Sequence, residues 1–183
     1  FDLWSWDGTL DLIHYELYVK CREAIGREAS PTAAVIDAKA SKALKKGASI
    51  DPPGYDAGKK IKGKKRHILV DTQGLLIHAI VHAADIQDRD GGVFVMATMF
   101  GMYPFLMKLY ADGGYQGPLF RRAVAKITAR VNVEIVKRSD HAKGFVVLPK
   151  RWVIERTFAW LGRCRRLAKD WENLNPVSYT HLR

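Results

Sequence analysis

Three acids in this chain have the type and setting to do chemistry. The stretch KLYADGGYQG, residues 108–117, runs an apolar segment into Asp112 and follows it with two glycines. The stretch AAVID does the same with Asp37. A third acid, Glu155, lies in RWVIERTFAWLGRCRRLAKDW, in line with Ala159, Gly162 and Arg166 and off that helix's apolar stripe. Carboxylates that converge repel one another and stay ionised together only beside positive charge. Oxygen-only donors suit Mg²⁺ or Mn²⁺. Such a set can hold two divalent ions, one activating a water or a 3′-hydroxyl and the other stabilising the leaving oxygen of an in-line phosphoryl transfer. Each acid also has an ordinary role: Asp112 as a turn residue before glycine, Asp37 as a strand end, Glu155 as a solvated helix acid.

The elements that must position these acids follow from hydrophobic periodicity. Leu10, Ile13, Leu17, Val19 and Ile25 predict a helix over 3–28 that ends near Gly26. AAVID reads as a short buried strand, and residues 40–66 as irregular and polar. RHILVDTQG and LLIHAIVHAAD read as two strands joined through Asp71, Thr72, Gln73 and Gly74 into an antiparallel hairpin. Asp85, Asp88 and Asp90 are placed to cap a helix over GVFVMATMF. A strand at MKLYAD, a helix at GPLFRRAVAKI with Pro118 in its first turn, a strand at RVNVEIVKR and a long helix over 151–171 complete the order. Val153, Thr157, Trp160, Cys164, Leu167 and Trp171 form the long helix's stripe, widened by Ile154, Phe158 and Leu161.

That order predicts an α/β fold, a mixed five-stranded sheet flanked by helices. It resembles the ribonuclease H-like arrangement, in which the first and fourth strands lie parallel and adjacent. Asp37 and Asp112 would then meet at the carboxyl ends of neighbouring strands, where such sheets bind ligands. The expected division is a helical lead-in over 1–30, a catalytic domain over 31–175 and a tail over 176–183. The opening FDLWSWDG reads as cut from something longer, and NPVSYTHLR as a tail of different origin.

The 183 residues carry a net charge of +11, which points to an anionic partner, nucleic acid first. Lys59, Lys60, Lys62, Lys64, Lys65 and Arg66 form a basic run, read as a solvated segment that contacts the DNA backbone. Arg163 and Arg166 lie beyond Glu155 as further phosphate contacts. Trp152, Phe158, Trp160 and Trp171 read as core rather than as base-stacking residues. Asp71 reads as a turn acid, and His67, His78 and His82 as sheet histidines rather than metal ligands. Two cysteines, Cys21 and Cys164, without metal-site spacing, fit neither a disulfide scaffold nor a zinc site and suit a reducing cytoplasm. No apolar run reaches the roughly 20 residues of a membrane helix.

The stretches VIDAKASK, GYDAGKKIKGKKRHILVDTQGLL, VHAADIQDRDGG, YADGGYQG and RWVIERTFAWLGRCRRLAKDWE occur in order. Together they resemble the DDE transposases of bacterial insertion sequences, most closely the insertion-sequence-five group, over residues 4 to about 173. The resemblance implies that Asp37, Asp112 and Glu155 are a metal-binding catalytic triad using Mg²⁺, and that Arg151 and Arg156 help hold DNA. It also implies double-stranded DNA substrates, namely terminal inverted repeats and a target, and a homodimer when active in the bacterial cytoplasm at the nucleoid. Two positions depart from the pattern. Leu148 stands where related enzymes often carry Tyr, and Gly162 where a basic residue is expected, with Arg163 next. The alternative reading is a DNA-binding fragment or relic without catalysis.

Overall fold

A computed structural model describes residues 2–43, 51–137 and 148–169. Elements in chain order are α1 (Asp2–Trp6), α2 (Thr9–Ala24), β1 (Ala33–Lys42), β2 (Gly54–Asp56), β3 (Ile61–Asp71), β4 (Leu76–Ala83), α3 (Asp88–Thr98) and β5 (Lys108–Ala111). They continue with a 3₁₀ turn (Gly113–Tyr115), α4 (Pro118–Ile127), β6 (Asn132–Ile135), α5 (Pro149–Arg163) and α6 (Arg165–Ala168). The sheet order is β2-β3-β1-β5-β6, with β4 also paired to β3. β3 is antiparallel to β1 and β4, whereas β1, β5 and β6 run parallel. This is the expected mixed, helix-flanked sheet compatible with a ribonuclease H-like fold, and the short β2 adds a sixth strand.

Side-chain alternation splits the core into two layers. Ala34, Ile36, Leu69, Leu109 and Ala111 face a cluster completed by Tyr18 of α2, Val95 and Met96 of α3 and Phe120 and Val124 of α4. Their strand neighbours Val35, Ile68, Val70 and Tyr110 face the opposite cluster, closed by Ile154 and Phe158 of α5 and Leu167 of α6. The close seat of α3 on β3 requires a glycine. A Cβ on Gly91 would lie 2.1 Å from Cε1 of the buried His67 ring.

Several boundaries differ from the sequence reading. The lead-in helix breaks at Gly8, whose φ of 79° is left-handed, so α1 and α2 are separate. Ile13, Leu17 and Ile25 are exposed, and α2 instead buries Tyr18 and Arg22. β1 runs on to Lys42 because β3 continues to pair with it beyond Asp37. Asp37 therefore sits inside a strand rather than at its end. The long helix stops at Arg163, where Cys164 takes an extended conformation. Of the predicted stripe, Ile154, Thr157, Phe158 and Leu167 are buried and Val153 and Leu161 half-buried, whereas Trp160 and Cys164 are exposed, as is Trp152. Trp171 and the tail over 176–183 lie outside the described residues. Among the described residues no helix is long and apolar enough to cross a membrane. Both Cys21 and Cys164 are exposed free thiols.

The β3–β4 hairpin is held from within. Asp71 is fully buried and accepts hydrogen bonds from the backbone N–H of Gln73 (2.8 Å) and of Leu75 (2.9 Å). Its other oxygen pairs with the buried Arg22 of α2, which also donates through Nε to the Glu28 carbonyl at 2.7 Å. The turn reading of Asp71 holds, and the turn doubles as the anchor for α2. Arg22→Met should strand a buried carboxylate and lower unfolding stability by about 3–5 kcal/mol. Urea denaturation checks this. Arg22→Met combined with Asp71→Asn should recover part of the loss, and an unchanged midpoint in Arg22→Met would contradict the assignment.

Candidate functional site

Strand register brings the first two acids together. Parallel pairing of β1 with β5 ends at Ile36 opposite Ala111. The next residues, Asp37 and Asp112, therefore emerge at the same level on adjacent strands, on the face shared with Val35 and Tyr110. Asp37 Oδ1 accepts from the Ala38 N–H at 2.7 Å. Asp112 Oδ1 accepts from the Gly114 N–H at 2.8 Å and so caps the 3₁₀ turn. One oxygen of Asp112 thus caps the turn, and the other faces Arg151.

The third acid reaches this pair through a cation. On α5, Arg151 Nη2 lies 3.8 Å from Asp112 Oδ2 and 3.5 Å from Glu155 Oε1. The half-exposed Glu155 is thereby tied to Asp112 by a shared guanidinium. Burial raises the Asp37 carboxyl to about 6, and the Asp112 charge pushes it the same way. The Ala38 N–H, Arg151 and Lys59 act against that rise. Lys59 Nζ donates to the Ala38 carbonyl at 3.2 Å, which places its ammonium beside the acids.

The chemistry of this donor set fits a hard divalent cation in its first two members. Asp37 and Asp112 are adjacent oxygen donors whose mutual repulsion a cation relieves. Glu155 stands apart on the far side of Arg151. Among the described residues no group of three or more His, Cys, Asp or Glu side chains is close enough to hold an ion. A third ligand from Glu155 requires Arg151 to leave its place between the two carboxylates.

The basic run divides in two. Lys59, Lys60 and Lys62 are exposed, and Lys60 forms the turn with a φ of 54°. Lys64, Lys65 and Arg66 are buried, which corrects the reading of the whole run as solvated. Lys65 Nζ lies 3.0 Å from Asp56 Oδ2 and 2.9 Å from Asp88 Oδ1, and donates to the Ile86 carbonyl at 2.9 Å. Arg66 donates to the Leu167 carbonyl of α6. These side chains brace the sheet against β2, α3 and α6.

Arg156 donates to the Gln73 carbonyl at 2.6 Å and lies 4.7 Å from the Trp160 ring centroid. With Thr157 Oγ1 donating to the Gly74 carbonyl at 2.8 Å, it locks α5 onto the hairpin tip. Arg163 and Arg166 are exposed beyond Glu155. His67 is buried and pushed down to about 3 by desolvation, with His82 and the nearby lysines adding to the shift, so its ring is neutral at physiological pH. His78 Nε2 pairs with Thr98 Oγ1 at 2.9 Å.

Two features escape sequence reasoning. Asp88 makes no cap hydrogen bond at the start of α3; it joins Asp56 in holding Lys65. The second feature is an open groove of about 830 Å³ beside Asp112, edged by Lys59, Arg89, Gln116 and the glycines 58, 113 and 114. The DGG of YADGGYQG hints at this open floor, but nothing local in the sequence brings Arg89 to it.

The sequence pattern of the family described as Transposase DDE domain matches residues 28–178, most of the chain. A curated protein from Burkholderia cepacia, named "Putative transposase for insertion sequence element IS402", is 32% identical over 132 residues. That match covers 66% of this chain and 59% of the relative's length.

Asp37 carries a testable cost. A folded-state carboxyl raised to about 6 from an ordinary 3.8 means that ionisation opposes folding. The penalty is complete above pH 6 and disappears as pH falls below about 4, where both states are protonated. Asp37→Asn should therefore stabilise the metal-free chain by about 1–3 kcal/mol at pH 7.5 and by nothing at pH 3.5. Denaturant titrations at the two pH values check this, and a gain that is equal at both would contradict the burial account.

Proposed function

Because the chain belongs to the Transposase DDE domain family, we propose that it is the catalytic domain of an insertion-sequence transposase that cuts and joins DNA by phosphoryl transfer. The observation that carries this reading is the parallel register that brings Asp37 level with Asp112, with Arg151 linking Asp112 to Glu155. In this reading Asp37 and Asp112 hold Mg²⁺ or Mn²⁺, and Glu155 joins them. Ions held there would supply Lewis-acid activation of the attacking hydroxyl and of the leaving oxygen. Arg151 is the residue whose position decides the third ligand. A DNA phosphate competes with Asp112 and Glu155 for its guanidinium, and Glu155 is released toward its partners as Arg151 turns to the phosphate. The elevated Asp37 carboxyl adds a pH gate, since a protonated acid is a poor ligand and Asp37 becomes largely ionised only above about pH 6.

The substrates proposed are double-stranded DNA ends bearing terminal inverted repeats, together with a target duplex. Two protomers act together, as cutting paired ends requires, in the bacterial cytoplasm at the nucleoid. Exposed Lys59, Lys60, Lys62, Arg163 and Arg166 provide backbone contacts around the acids. Arg156 is assigned to bracing the hairpin, with any DNA contact secondary to its hold on Gln73. The alternative, a DNA-binding fragment without catalysis, predicts binding but no cleavage.

The test is Mg²⁺-dependent nicking of a DNA end by a version of the protein extended to the relative's full length. Asp112→Asn and Glu155→Gln should each lower the rate by about two orders of magnitude or more, beyond the 10–100-fold typical of changes behind the ligands. Cleavage by both variants at the parental rate would remove the triad assignment. Binding without cleavage by the parent would favour the alternative.

A further inference from the structure

Beyond Asp37, β1 continues for five residues to Lys42 with β3 on one side only, because its pairing with β5 has ended. The edge released there faces α5 and α6 across a cleft of about 240 Å³. Lys39 and Lys42 stand exposed on the strand wall. Phe158, Leu161 and Leu167 form an apolar floor. Gly162 leaves the helix wall without a side chain, and a Cβ there would meet nothing within 4 Å. Lys169 stands exposed at the far end.

Both walls begin at the acids. Lys39 follows Asp37 by two residues on the same face of the strand, a rise of roughly 7 Å. Gly162 follows Glu155 by two helical turns, roughly 10.5 Å. The cleft is therefore the direct continuation of the acidic centre. A polyanion crossing paired carboxylates needs compensating cations just outside them. The strand wall supplies these where the helix wall, at Gly162, does not. Lys39 is held near the cleft by the Phe158 ring, with its ammonium 5.8 Å from the ring centroid and its charge left for a ligand.

We propose that this cleft binds the phosphodiester backbone of a DNA strand leaving the acidic centre, with Lys39 and Lys42 as its phosphate contacts. The proposal rests on the DNA-processing reading above and locates a strand path within it. A cleft of about 240 Å³ suits one strand rather than a duplex. An apolar floor under a cationic rim suits a sugar-phosphate chain whose deoxyribose faces lie against Phe158 and Leu161.

The experiment is fluorescence anisotropy of the whole chain with a labelled single-stranded oligonucleotide across a series of KCl concentrations. Each lost phosphate contact flattens the plot of log K against log salt by about 0.7 for single strands. Lys39→Gln with Lys42→Gln should therefore flatten the slope by about 1.4 and weaken binding at low salt. Arginine at both positions should keep the parental slope. Lys126→Gln, on the opposite face of the sheet, should also leave it unchanged. Thermal melts should match the parent, since both lysines are exposed. A parent that binds DNA while the double glutamine variant keeps its slope overturns the cleft and leaves the DNA reading standing. An equal loss in Lys126→Gln overturns it too, since net charge alone would then explain the effect. A parent that binds no DNA overturns both.

Discussion

Two carboxylates must stand side by side on neighbouring parallel strands, and most of the molecule's design answers the cost of that. Strands lie about 4.8 Å apart, so acids that leave them at the same level feel one another's charge. Asp37 and Asp112 do so because β1 and β5 pair through Ile36 and Ala111. The register is pinned by packing. Ile36 and Ala111 belong to one core layer, and Val35 and Tyr110 to the other. A slip of one residue would turn Asp37 to the opposite face and strand a row of aliphatic side chains.

Cations answer the charge at two levels. Arg151 and Lys59 lie near the acids and are themselves partly or fully exposed, so they can exchange a protein partner for a phosphate. A second set is committed to the interior. Arg22 holds Asp71, Lys65 holds Asp56 and Asp88, and Arg66 reaches α6. These buried pairs contribute little net energy against apolar replacements, but each would be expensive to break, and so they fix where α2, α3 and α6 sit. The large positive charge is therefore part bracing and part exposed surface, and only the second part is available to an anionic partner.

Much of the frame was legible from residue patterns. Apolar runs about the short turn Asp71–Gly74 marked the hairpin strands, Pro118 marked the start of α4, and an apolar run ending at Asp112 marked the delivery of that acid. What escaped was set by partners distant in sequence. KASK after Asp37 reads as polar and irregular because one edge of that strand is open, yet β3 extends it. Lys65 and Arg66 look solvated until Asp56, Asp88 and the Leu167 carbonyl are placed beside them. The long helix looked continuous because the chain's apolar spacing carries past Cys164, whereas the backbone turns there to seat Leu167 in the core. Of the candidate site, Asp37, Asp112 and Glu155 could be nominated from the sequence, but the guanidinium lodged between Asp112 and Glu155 could not. Arg151 and Glu155 are neighbours at i and i+4, and only the fold adds Asp112 to them.

The central claim is that Asp37 and Asp112 act as one cation-binding pair in which burial holds back the ionisation of Asp37. Isothermal titration of Mn²⁺ into the parent chain and into Asp112→Asn, at pH 5 and at pH 7.5, tests it most directly. The account predicts binding by the parent that is clearly tighter at pH 7.5 than at pH 5, and binding lost in the variant at both. Mn²⁺ binding that is equal in parent and variant, or that does not strengthen between the two pH values, would contradict it.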